Sequence, residues 1–408
     1  MAKRLWEELM TFAANSLRGA ALAAVLGAAS GAAAQAPEPV EIRAAVLRVD
    51  SPGPAPISRL DLPPADLGLA GAKLATADNA TTGRFMGQNF ALAEVVAKPE
   101  TVEAETAKLL EAGIPFIVVL ADAETTAKIA DQAGEAALIF NAGATDDSLR
   151  AELCRANLLH TAPSDAMLAD ALAQFLIWKR WDEWLLVSGS HPEDKALAEA
   201  YRRAAKKFGG RIVEERVFED KGGARRTDSG HAQVQAQLPV FMQGAKAHEV
   251  VVAADRADVF ASWLPYHTWE PRLVTGSAGL RPASWHPAHE AWGATQWQTR
   301  FERQSARPAR PEDYQAWAAL RAVGEAASRT KSGDFATLSA YIRGDQFQLA
   351  AFKGQGLSFR PWDGQLRQPI LLASGPVTAS VSPQEQFLHQ VSQLDSLGID
   401  QPETACKL

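Results

Sequence analysis

The chain has 408 residues, 47% of them hydrophobic, which is long enough for two domains that each bury a core. Its formal net charge of −7 argues against a nucleic-acid partner, which selects a basic face. Beyond the N-terminal region no stretch reaches the roughly 18 uninterrupted apolar residues of a membrane span, so the sequence predicts a soluble exported protein.

Residues 1–36 differ from the rest of the chain. Lys3 and Arg4 begin a basic start, an apolar run covers Gly19 to Ala34, and Ala34-Gln35-Ala36 supplies a small-x-small cleavage pattern. This reads as a secretory signal peptide, with Pro37 or a neighbour as the mature start. The removed piece carries a net +1, so the formal −7 becomes −8 in the mature chain. Two cysteines remain, Cys154 and Cys406. In an oxidising compartment an even count suggests a disulfide, against the alternative of two separate buried thiols.

A first strand is expected at Ile42 to Val49, followed by a helical stripe of Leu67, Ala70, Gly71, Leu74 and Ala75. This helix runs into a polar knot, Asp78-Asn79-Ala80-Thr81-Thr82-Gly83, expected to close it. Phe90 to Val96 is a second strand, and "ETVEAETAKLLEAG" an amphipathic helix that stops at Gly113. "IPFIVVL" (Ile114 to Leu120) is apolar on both faces, as a buried parallel strand should be. A helix over Thr125 to Gln132 and a strand over Ala136 to Phe140 complete a parallel α/β layer.

The rhythm restarts after a crossing near His160 to Pro163. Ser164 caps a helix through Trp178, "EWLLVSG" is a strand, and Ser190-His191-Pro192-Glu193-Asp194 opens another helix with a hydroxyl cap, Pro and two acids. That helix ends at Phe208-Gly209-Gly210. Further strands lie in "RIVEERVF", "HEVVVAAD" and "RLVTGSAG". The pattern breaks between Ala283 and Pro311, then resumes as a long helix in "PEDYQAWAALRAVGEAASR" and a late strand in "QLRQPILLASG". Pro-rich "SPGPAP" (Ser51 to Pro56) and "ARPARP" (Ala306 to Pro311) read as loops. The tail from Pro383 is polar.

No P-loop lysine motif, G-x-S-x-G elbow or zinc H-E-x-x-H occurs, and nothing pairs a nucleophile with a base, so an enzyme is not expected. His286 and His289 are three apart, but Pro287 and the lack of a third ligand favour a polar loop over a metal site. Trp263, Trp269, Trp285, Trp292 and Trp297 crowd 35 residues and either line a ligand cleft or fill a second-lobe core. In open α/β sheets, ligands gather beyond the carboxyl ends of the strands, where helix amide groups point outward. Four such turns are rich in Gly, Ser or Thr: Asp122 to Thr126, Asn141 to Thr145, Ser188 to Ser190, and Gly276 to Gly279. Simple helix capping is the competing explanation for each.

Two parallel α/β layers behind a signal peptide resemble a type I periplasmic solute-binding protein of an ABC importer, the branched-chain amino acid receptors in particular. "GLAGAKLATADNATTGRF" resembles that group's first helix, with Gly71, Ala75, Asp78 and Asn79 in place. "YQAWAALRAVGEAA" resembles its late helix, and "GQGLSFRPWDGQ" its closing turn. "DNATTGRF", "CRANLLHTAPSDAMLADALAQFL", "LSFRPWDGQLRQPI" and "LDSLGIDQPETACKL" are similar to a subfamily found with pyrroloquinoline-quinone (PQQ)-dependent alcohol dehydrogenase systems.

The resemblance implies an α/β fold of two Rossmann-like lobes with hinge crossovers. Residues 37–161 would begin lobe I, 162–282 would begin lobe II, and 283–345 would return to lobe I. Residues 346–408 would hold a hinge crossing, a late lobe II strand and the tail. It also implies a periplasmic location, an ABC permease as partner, and a small ligand held between the lobes without a cofactor. The strand-end turns together give an expected ligand set of Asp122, Glu124, Thr125, Thr126, Gly143, Ala144, Thr145, Ser188, Ser190, Asp255, Gly276 and Ser277. Of these the resemblance covers the turns Glu124 to Thr126 and Gly143 to Thr145, with Thr126 and Thr145 as carboxylate-binding hydroxyls. Asp122, Glu124 and Asp146 would oppose an anion, which argues against an amino acid ligand. The subfamily suggests two further readings. One is a receptor for a rare-earth ion or its chelate, drawing on Asp61, Asp66, Asp122, Glu124, Asp146, Asp147 and Asp255. The other is a non-transport sensor or accessory of the dehydrogenase.

Overall fold

A computed structural model describes residues 39–51, 58, 61–221 and 233–407. The expected signal peptide and most of the 51–56 loop lie outside these residues. Among them, five parallel strands form the sheet of lobe I: β1 (Val40–Val49), β2 (Gln88–Ala97), β3 (Phe116–Leu120), β4 (Leu138–Asn141) and β5 (Leu158–His160). Their order is β2-β1-β3-β4-β5. Ile117, Val118 and Val119 are wholly buried, because helices cover both faces and leave no strand face for polar residues. One face carries α2 (Val102–Glu111) and α3 (Ala123–Ala133). The other carries α1 (Leu69–Met86), α7 (Ala294–Ser305) and α8 (Pro311–Thr330).

The small residues of α1 have a purpose visible in the packing. A Cβ on Gly71 would stand 1.9 Å from the Asp313 carbonyl oxygen, and one on Gly324 2.0 Å from Asn79 Oδ1, so α1 and α8 touch almost backbone to backbone. Contrary to expectation, the polar knot does not close α1. It lies inside the helix, which runs on to Met86 and ends at the left-handed Gly87. Asp78 accepts from Trp317 Nε1 at 2.9 Å and pairs with Arg300, and Asn79 donates to the Leu320 carbonyl at 2.9 Å. Thr81 satisfies its hydroxyl on the Ala77 carbonyl one turn back. The knot binds the helix to its lobe.

Lobe II is a four-stranded parallel sheet among the described residues: β6 (Glu183–Gly189), β7 (Arg211–Phe218), β8 (Val250–Ala254) and β9 (Leu273–Gly276), ordered β7-β6-β8-β9. Helices α4 (Asp165–Trp178) and α5 (Pro192–Phe208) cover one face, and α6 (Val234–Met242) covers the other. Alternate β8 residues divide between them, Val250 and Val252 inward to α4 and α5, Val251 and Ala253 to α6. Beside this sheet, β10 (Arg281–Ala283), β14 (Ile370–Ser374) and β15 (Val377–Ser382) form an antiparallel set. Helix α9 (Phe335–Arg343) and the small strands β11 (Leu349–Ala350), β12 (Gly356–Phe359) and β13 (Leu366–Arg367) complete lobe I.

The break expected between Ala283 and Pro311 contains α7. Trp285 and Trp297 are buried there against Tyr314, ring centroids 4.8 and 5.8 Å away, in the core of lobe I rather than lobe II. Trp269 and Trp292 are exposed. His289 packs edge-on against Trp285, and burial drives its pKa down to about 4.

Among the described residues up to the end of β15, three segments carry the chain between lobes, near residues 160–164, 283–285 and 367–370. They are tied to one another. Gln368 donates to the Thr161 carbonyl at 2.8 Å, joining the third to the first. Buried Lys353 donates to the Ser284 carbonyl and, at 3.1 Å, to that of Pro369, joining the second to the third. Among the described residues no carboxylate pairs with this ammonium, and burial lowers its pKa to about 7. A disulfide, Cys154–Cys406, with 5.8 Å between Cα atoms, fastens the tail to lobe I.

Candidate functional site

The strand tips of the two lobes meet around one arginine. Arg256 comes directly after β8 in lobe II, and its guanidinium donates to Thr145 Oγ1, in the lobe I turn after β4, and to Asp165 at the start of α4. Its direction is fixed from behind. Wholly buried Asp194, in the first turn of α5, accepts the backbone N–H groups of Arg256 at 2.6 Å, Ala257 at 2.9 Å and His191 at 3.2 Å. A Cβ on Gly189 would stand 2.1 Å from this carboxylate, so β6 must end in glycine for Asp194 to reach the turn.

Beside Arg256, on the lobe II side, lies a cavity of about 260 Å³. Leu168, Leu197, Tyr201 and Pro282 give it apolar walls, Arg256 and Arg281 bring positive charge, and Asp255, Gly276 and Ser277 complete it. Asp255 is not available to a ligand cation, because its carboxylate accepts from the N–H groups of Val259, Phe260 and Ala261 at 2.9, 2.7 and 2.6 Å. Its own N–H donates to Ser277 Oγ at 2.9 Å, which locks the two strand-end turns together.

The acids near Arg256 are unusual. Burial, reinforced by neighbouring Asp147, raises the Asp165 carboxyl to about 6 against the downward pull of Arg256. Asp147 is also raised by burial while it accepts the Ala166 N–H at 3.0 Å. Arg150, fully buried next to them, is lowered to about 10 by desolvation and spends its donors on Gln365 and on the Ala162 and Asp146 carbonyls.

The expected ligand set divides. Asp122 caps α3, accepting Thr125 N at 2.8 Å and Thr125 Oγ1 at 3.0 Å. Glu124 pairs with Lys128 on the surface, and Thr126 is fully buried with its hydroxyl unpartnered. Gly143 and Ala144 donate to Asn141 Oδ1 at 3.1 and 2.9 Å, a turn that sets Thr145 toward Arg256. Ser188 is buried in β6. Ser190 does not cap α5, whose first N–H groups are served from His191 onward; its hydroxyl accepts the Asp220 N–H at 3.1 Å instead. The structure thus groups Thr145, Asp255, Gly276 and Ser277 around Arg256, and gives Asp122, Thr125 and Ser190 capping or turn duties.

Sequence reasoning does not single out Arg256, Asp165 or Asp194 as site residues. The one signal for Arg256 is its place directly after the apolar run of β8. No three His, Cys, Asp or Glu side chains are grouped to hold a metal among the described residues. Asp66 is paired with Arg307, and Asp122 and Asp255 are committed to backbone N–H groups, so the acids proposed for a rare-earth ion do not converge.

Two parallel sheets joined by crossing segments, with strand tips that meet at Arg256, define a type I periplasmic-binding-protein fold. Residues 65–376 match the family of periplasmic binding proteins, and the chain belongs to that family. Solved structures agree in fold. The leucine-, isoleucine-, valine-, threonine- and alanine-binding protein of Brucella ovis, in its closed conformation, superposes with a TM-score of 0.68 at 14% identity, covering 91% of this chain and 99% of that one. A solute-binding protein of an ABC transporter from R. palustris, in complex with benzoate, gives 0.63 at 13% identity over 90% and 100% of the two chains. An ABC transporter substrate-binding protein of Desulfitobacterium hafniense, in complex with Leu, gives 0.64 at 16% over 84% and 100%. No curated protein matches the sequence. Membership of the periplasmic binding protein family places this chain in the periplasm. No helix among the described residues is long and apolar enough to cross a membrane.

Proposed function

We propose that this receptor closes its lobes on a small carboxylate-bearing solute and presents it to an ABC permease. The observation that carries the reading is Arg256, held across the lobe boundary with its guanidinium on a lobe I hydroxyl and on Asp165. A ligand carboxylate would take the place of Asp165 and Thr145 as the partner of that planar fork. The apolar walls of Leu168, Leu197 and Tyr201 fit a hydrocarbon body. Contacts made by both lobes exist only when these are together, so the bound solute favours closure. Leu and benzoate, held by two of the structural relatives, are carboxylates and belong in the first screen.

The finer reading, that the solute comes from PQQ-dependent alcohol oxidation, is supported by the sequence strings shared with that subfamily and by chemistry, since oxidation of a primary alcohol ends in a carboxylate. Native mass spectrometry of protein taken from its own periplasm tests both levels. The expected result is added mass of an organic acid, lost when Arg256→Met protein is prepared in the same way. A retained neutral or cationic solute, or full retention by the variant, would overturn the carboxylate reading. Absence of the dehydrogenase from pull-downs that capture the permease would remove the accessory alternative and leave transport.

A further inference from the structure

Lobe I holds a larger cavity than the one beside Arg256, at the opposite ends of its strands. It measures about 520 Å³ and lies between α9 and the segments that lead into β4 and β5. Phe335, Ala340, Ala137 and Ala156 supply much of its wall. Ala156 and Arg343 also line a neighbouring hollow of about 180 Å³ walled by Leu158, Leu159, Phe359 and Pro361.

The polar groups here fall into two kinds. Asn157 is spent, donating to the Ala130 and Gly134 carbonyls at 2.8 Å each. Arg360 is spent on Asp395 at 2.8 Å and the Leu397 carbonyl at 2.6 Å. Arg343 is different: its guanidinium makes no hydrogen bond or ion pair among the described residues. The Ser339 hydroxyl, one turn earlier on α9, is buried without a partner. Residues four apart share a helix face, so both donors serve the same wall. Glu135 also lines the cavity and makes no ion pair with Arg343. Partial burial lowers the Arg343 pKa, with no neighbouring acid to offset it.

From the paired free donors and the apolar walls we infer that lobe I carries a second ligand site, for a small acid with a hydrocarbon body, separate from the cleft at Arg256. The carboxylate would lie against the Arg343 fork and take the Ser339 hydroxyl hydrogen, and the hydrocarbon would extend toward Phe335 and the Leu159–Phe359 hollow.

Octanoate is the probe, titrated into the full mature protein by calorimetry, with 1-octanol as the uncharged control. Millimolar or tighter octanoate binding is expected, with none for octanol. Arg343→Met should weaken it at least tenfold, Ser339→Ala by a few-fold, and Ala340→Trp should block it by filling the cavity. Arg343 and Ala340 lie on the outer side of α9, so these changes leave the core intact. The titrations are repeated in the Arg256→Met background, which removes octanoate held in the cleft, and Arg343-dependent binding is expected to persist there. No heat in the millimolar range, or equal binding by wild type and Arg343→Met, overturns the site. Binding lost in Arg256→Met but kept in Arg343→Met would also reject it, while leaving the cleft reading standing.

Discussion

After β4, the Asn141 amide gathers the N–H groups of Gly143 and Ala144 and returns a hydrogen bond to the Ala144 carbonyl at 2.7 Å. After β8, the carboxylates of Asp194 and Asp255 gather five backbone N–H groups from residues 256 to 261. Each turn is thus held from within by a buried side chain that never needs to touch a ligand. What projects forward differs: a neutral hydroxyl, Thr145, from lobe I and a guanidinium, Arg256, from lobe II. One lobe supplies shape and a weak acceptor, the other supplies charge, and the lobe with the charge uses acids to aim it.

The comparison breaks most visibly at Asp194. Asp194→Ala strands three half-buried N–H groups and leaves a void at a wholly buried carboxylate, and should cost about 3 kcal/mol of stability, read as a lower midpoint in urea. Asn141→Ala removes a neutral version of the same device and should cost about 2 kcal/mol. Equal losses would mean that charge on the aiming group is irrelevant.

On binding, Arg256→Met should weaken a carboxylate solute roughly a hundredfold, since it removes the charged partner. Thr145→Val, on the neutral side, should weaken it by only a few-fold. A reversal of that order, measured by calorimetry with benzoate or the retained acid, would place the anion in lobe I.

How far the sequence reveals this arrangement depends on range. Ile117 to Val119 announce a buried strand because both neighbours of each residue are apolar. β5 is three residues long and passes for part of a crossing, and α7 and α9 fall in stretches whose polar residues hide the helical stripe. The knot at Asp78 to Gly83 has the composition of a helix end, yet Trp317, Leu320 and Arg300, more than 200 positions away, make it a helix interior. Arg256 is invisible for the same reason. Its partner Thr145 is 111 residues distant, and a lone arginine after a strand looks like any surface charge until that distance closes.

The smallest effect is also the most diagnostic, because it comes from opposed forces on one carboxyl. Asp165 competes with a ligand anion for Arg256, and its pKa of about 6 lies above the ordinary value because burial and Asp147 outweigh the arginine. Tyr201 and Thr145 also face it. A carboxyl whose folded-state pKa is raised favours folding in its protonated form. That contribution is complete at pH below the unfolded value near 4 and is lost as pH rises through about 6. For binding the same proton works in the ligand's favour: once Asp165 is neutral, its hold on Arg256 weakens. A solute acid that remains ionised should therefore bind up to roughly tenfold more tightly at about pH 5.5 than at about pH 7.5. Asp165→Asn should bind at the higher affinity throughout and show no such slope. Calorimetry across that range decides it, since a wild-type profile as flat as the variant's would mean that the carboxylate and Asp165 never share the guanidinium.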